Sequence, residues 1–130
     1  MPRCWLHFSR LEKANSIFTD NDIREAVDLW CRDRAAAEYE YDHISQWNTS
    51  AVTDMSGLFT KGYFKRKGME YFNDDISQWN VSNVTNMQYM FHDASAFNQP
   101  LEQWNVGNVT NMKDMFRGSG ISSANKPRWR

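Results

Sequence analysis

The side chains able to do chemistry are few and scattered. Asp74 and Asp75, with His43 and His92, are the residue types that acid–base catalysis or a metal site would draw on. Neighbours in an extended limb point to opposite sides, which separates the two carboxylates. The histidines recur at no fixed interval, and the chain holds no GxSxG, HExxH, P-loop or Rossmann pattern. These residues therefore read as structural, no catalytic or metal-ligating set is assigned, and no cofactor is expected. Cys4 and Cys31 form no CxxC pair. Cys31 reads as a small buried hydrophobe, with a single Cys4–Cys31 bridge as the alternative.

A second group of residues suits contact rather than catalysis. Lys61, Tyr63, Lys65, Arg66 and Lys67 interleave cations with aromatics. Such a stretch either meets phosphate, an acidic partner or an anionic headgroup, or is a solvated loop with an aromatic tucked inward. The net charge of −1 gives the whole chain no nucleic-acid-binding field, so another protein is the expected partner and nucleic acid is not. Asn48, Asn80, Asn83 and Asn108 each head an Asn-x-Ser/Thr sequon, but glycosylation requires secretion. The first ten residues are broken by charge before an apolar stretch builds, so no secretory signal is read there, and no run is long enough to span a bilayer. Asn48, Asn80 and Asn105 are expected to form a ladder that bonds turn backbones.

The elements that position these residues come from an internal repeat. Trp47, Trp79 and Trp104 each begin a Trp-Asn-x-x-x-Val-Thr-x-Met unit, preceded by Ile44, Ile76 or Leu101 and followed by Phe59, Phe91 or Phe116. Trp79 to Trp104 is 25 residues and Trp47 to Trp79 is 32, the excess lying in an insertion at about 60–71. The recurring Trp47, Val52, Met55, Phe59, Trp79, Val84, Met87, Phe91, Trp104, Val109, Met112 and Phe116 form the predicted core. One copy offers too few apolar side chains to offset the ordering of its backbone, so the copies must stack.

Within each copy, the β-branched residues after the tryptophan predict a short strand, and Thr53, Thr85 and Thr110 predict the N-caps of one or two helical turns. The expected class is α/β, a short leucine-rich-repeat-like solenoid of three coils with an N-terminal capping helix; a pure β-helix is the competing architecture. The expected layout is an arm (1–18), a capping helix (19–43), the three coils (44–116) and a tail (117–130). Thr19 and Asp22 imitate a capping box, and Ile23, Val27, Trp30 and Cys31 share one helix face running on to about Tyr39. The tail shows no second cap and no return limb, which leaves the third coil open apart from Ile121 or Trp129.

The unit Ile-Ser-x-Trp-Asn-Val-Ser-Asn-Val-Thr-Asn-Met-x-x-Met-Phe, then Ala-x-x-Phe-Asn-Gln-x-Leu, resembles the BspA-like surface-protein repeat family, the mycoplasma-lipoprotein-type domain of unknown function. The resemblance spans 44–116. It implies cell-surface, adhesive or protein-contact roles and carries over no catalytic residue. The expectation is a non-catalytic protein-interaction module, with a small accessory subunit of a larger assembly as the alternative. Candidate partner-binding residues are Lys61, Tyr63, Lys65, Arg66, Lys67, Ile121 and Trp129, with self-association or docking at the C-terminal end.

Overall fold

The computed structural model describes residues 17–61 and 68–129. Thr19 starts the first helix, α1 (Asp20–Arg32). Its hydroxyl accepts the Asp22 amide at 3.1 Å, while the Asp22 carboxylate accepts the Thr19 amide at 3.4 Å, so the capping box forms. Ile23, Ala26, Val27 and Trp30 are buried along one face. The helix does not run on to Tyr39 as predicted. Asp33 leaves helical geometry and its carboxylate accepts the Ala36 amide at 3.1 Å, which starts a second helix, α2 (Arg34–Tyr41). An aspartate is a better N-cap than an interior residue, so it divides the segment.

The three copies follow, and their internal structure differs from the strand and helical turn expected. The Asn48, Asn80 and Asn105 side chains accept the amides of Ser50, Ser82 and Gly107. These Asx turns draw the backbone away from a strand. The three asparagines bond turn backbones as expected, each within its own turn and not as a ladder from copy to copy. The extended point comes later, where Asp54, Asn86 and Asn111 form parallel bridges from copy to copy.

No helical turn follows the threonines. Leu58, Met90 and Met115 each bond back three residues, to Met55, Met87 and Met112. The third turn residue is left-handed in every copy: Gly57 at φ 62°, Tyr89 at 58° and Asp114 at 52°. That is the requirement of a type II turn, and it ends any helix there. The expected apolar spacing is real, but a tight turn brings the same residues together.

Between copies the backbone bonds repeat in register. Amides of Met55, Gly57 and Phe59 donate to carbonyls of Asn86, Gln88 and Met90, and those of Met87, Tyr89 and Phe91 donate to Asn111, Lys113 and Met115. Indole N–H groups add a second line: Trp79 donates to the Ile44 carbonyl at 2.8 Å and Trp104 to Ile76 at 3.0 Å. Inside, Phe59, Phe91 and Phe116 stack at 5.2 and 5.6 Å, with Phe72 and Phe97 stacked beside them at 5.7 Å.

The described residues thus make a compact domain of two helices and a few isolated bridges around a large buried aromatic cluster. No continuous strand ladder, the mark of a leucine-rich-repeat solenoid, is present among them. Most of the predicted core is buried, but Val109 and Phe116 are only partly covered and Met112 is 39% exposed, because no further copy lies on them. The tail also differs from expectation, since it gives the third copy a return limb. Ser122 donates to the Asn98 side chain at 2.9 Å, as Asn98 donates to that of Asn73 at 2.8 Å. Gly120 lies so close to the Ser95 carbonyl that a Cβ would collide with it.

Candidate functional site

The stack of copies has two edges, and the chain treats them differently. At the first edge, no earlier copy offers the groups that the later copies exchange. Between copies, one threonine carbonyl accepts two successive amides: Thr53 takes Thr85 at 2.8 Å and Asn86 at 3.4 Å, and Thr85 takes Thr110 at 2.8 Å and Asn111 at 3.3 Å. At the edge, Asp20 of α1 takes that place, its Oδ1 accepting Thr53 at 2.8 Å and Asp54 at 3.3 Å. One helical turn on, the Arg24 guanidinium donates to the carbonyls of Ser56 at 2.7 Å and Asp54 at 3.4 Å. Those carbonyls correspond to Gln88 and Asn86, which accept copy-one amides. The helix therefore closes the edge with one acceptor and one donor at i and i+4.

Burial raises the Asp20 pKa, but the Thr53 amide and hydroxyl, the Asp54 amide and the Arg24 charge outweigh it and hold the carboxyl below its ordinary value. Sequence reasoning missed this pair. The only signal was the placement of a carboxylate and an arginine four apart on the predicted cap.

At the last edge no such closure is found among the described residues. The amides of Met112, Asp114 and Phe116 occupy the positions of Met87, Tyr89 and Phe91 but meet no acceptor there, and the Thr110 carbonyl accepts neither of the two amides its counterparts accept. Beside them lies a shallow depression of about 580 Å³, lined by Trp104, Val106, Val109, Met112, Arg128 and Trp129. Trp129 is 37% exposed. Arg128 and Glu102, 3.9 Å apart, both line it; along the same edge Arg117 is exposed 3.9 Å from Asp114, and exposed Lys113 has no carboxylate within reach among the described residues.

The other candidates are not gathered at this edge. Ile121 follows Phe72 and Phe97 on the return limbs and packs half-buried against the core. Lys61 is exposed and pairs with Glu70 at 3.3 Å, on the insertion side. Tyr63, Lys65, Arg66 and Lys67 lie outside the described residues, as does Cys4. Cys31 is half-buried with its Sγ 3.7 Å from Met69 Sδ.

The acid–base candidates have separate structural tasks. Asp74 accepts the Trp30 indole N–H at 3.0 Å and the Arg34 guanidinium at 2.7 Å, tying both helices to the return limb of the first copy. Asp75 accepts the Ser77 amide, and His43 accepts that of Ser45. Of the sequons, Asn83 and Asn108 use their side-chain nitrogens to hold the Ser50 and Ser82 carbonyls of the preceding copy. No helix among the described residues is long and apolar enough to cross a membrane.

Residues 7–129 match the model of a family described as Mycoplasma protein of unknown function, DUF285, and the chain belongs to that family. The match extends on both sides of the repeats. No curated protein and no solved structure matches the chain.

Proposed function

We propose that this member of the Mycoplasma DUF285 family is a non-catalytic protein-interaction module of the BspA-like class, whose three copies act as a short solenoid that contacts another macromolecule at its last edge. The observation that supports this reading is the unequal treatment of the two edges. The chain devotes two charged side chains of α1 to terminating the first ladder and leaves the complementary backbone groups of the last one, the Met112, Asp114 and Phe116 amides and the Thr110 carbonyl, uncovered among the described residues. An uncovered row of amides beside exposed apolar groups is a pairing surface.

The same edge supports a second reading, an accessory subunit held permanently in a larger assembly. Size-exclusion chromatography with light scattering separates the two. A soluble monomer that captures a defined protein from its native source supports the module. Association that cannot be reversed, or insolubility when made alone, supports the subunit. A well-behaved monomer that captures no macromolecule would sink both.

A further inference from the structure

We propose that the edge formed by Thr110, Met112, Asp114 and Phe116 binds an acidic segment of another protein that runs parallel to it through the same turn, in the register that joins the copies. This rests on the module reading above and adds the chemistry of the partner.

The register supplies the backbone requirement. Each interface between copies uses alternate amides on one side, alternate carbonyls on the other, and two successive amides converging on one threonine carbonyl. The third copy presents the amide side of that pattern and the threonine carbonyl. A parallel segment that makes the same turn, as each copy does for its neighbour, supplies the missing groups, a bent counterpart of strand addition to a sheet edge. Its inward side chains would cover Met112 and the depression beside Trp104 and Trp129.

Charge selects the partner further. Residues 113–129 carry four cations, Lys113, Arg117, Lys126 and Arg128, against Asp114, and Glu102, which lines the depression, adds a second carboxylate 3.9 Å from Arg128. The Arg117 and Arg128 side chains are 74% and 77% exposed. Carboxylates on the outward positions of the segment would meet these cations, steering the encounter and fixing the register. A second copy of the chain fits poorly. Its first edge is closed by Asp20 and Arg24, and two last edges related by a two-fold axis would run antiparallel with like charges opposed.

The test uses two synthetic peptides of roughly ten residues. One alternates valine with glutamate around a central glycine that can take the left-handed turn position, and the other carries lysine in place of each glutamate. The whole chain is titrated with each while amide exchange is followed by NMR. The glutamate peptide is expected to saturate and to slow exchange at Met112, Asp114 and Phe116. The combined variant Lys113→Glu, Arg117→Glu, Arg128→Glu alters exposed side chains and should keep the native amide spectrum, yet bind that peptide about tenfold more weakly or worse.

Binding that leaves those three amides unprotected overturns the proposal, as does equal binding by the variant or by the lysine peptide. So does an oligothymidylate of matching charge that protects the same amides equally well. A protein from the native source that binds wild type and variant alike overturns the edge assignment while leaving the module reading intact. Each arm therefore reports on a different claim.

Discussion

Asp20 takes, at the first edge, the place that a threonine carbonyl holds between the copies, and its chemistry makes the substitution testable. Asp20→Ala removes the acceptor from two amides and a hydroxyl, and should cost about 1–3 kcal/mol in urea unfolding. Asp20→Asn keeps one acceptor oxygen and should cost less. Because the folded carboxyl titrates below its unfolded value, its stabilisation is complete above about pH 5 and is lost as the pH falls through the folded pKa. The stability gap between wild type and Asp20→Asn should therefore be flat near neutrality and shrink below about pH 4; a constant gap down to acid unfolding would contradict the assignment. Trp79→Phe keeps the ring in its stack but removes the indole donor from the Ile44 carbonyl, which retains only the Trp47 amide at 3.3 Å, a loss of about 1 kcal/mol.

At the scale of elements, the turns and return limbs carry the constraint. Gly57 sits at φ 62° in the turn that Tyr89 and Asp114 repeat, so Gly57→Ala should lower stability by about 1 kcal/mol. Gly120→Ala drives a Cβ into the Ser95 carbonyl and should cost about 2 kcal/mol or more, with exchange rising first along 117–126. The sequence shows some of this plainly. Thr19 and Asp22 announce the start of α1, and the recurring tryptophans fix the period. The Asx turns were hidden because Val-Ser-Asn-Val alternates like a strand while the preceding asparagine captures the amide two residues on. The left-handed turns were hidden because two of three positions hold Tyr89 and Asp114 instead of glycine. The final return limb escaped notice because Ile121 and Ser122 stand where the other limbs carry Phe-Asn. The closure by Asp20 and Arg24 is a contact some thirty residues long, which no local pattern reports.

Across the whole molecule, a net charge of −1 conceals a polarity along the stack. Residues 20–41 hold seven carboxylates against three arginines, whereas residues 113–129 hold four cations against one carboxylate. The acidic end is the closed one and the basic end is the open one, so complementarity and open backbone coincide at the same place. Aromatic stacking runs through all three copies from Phe59 to Phe116, which couples the ends into one cooperative core. The measurement that tests the account most directly is residue-resolved amide exchange on the chain alone. Thr53, Met55, Gly57, Phe59, Met87, Tyr89 and Phe91 should exchange slowly, and Met112, Asp114 and Phe116 should exchange fast. Equal protection of Met112, Asp114 and Phe116 with their counterparts one copy earlier would contradict an open edge and the function built on it.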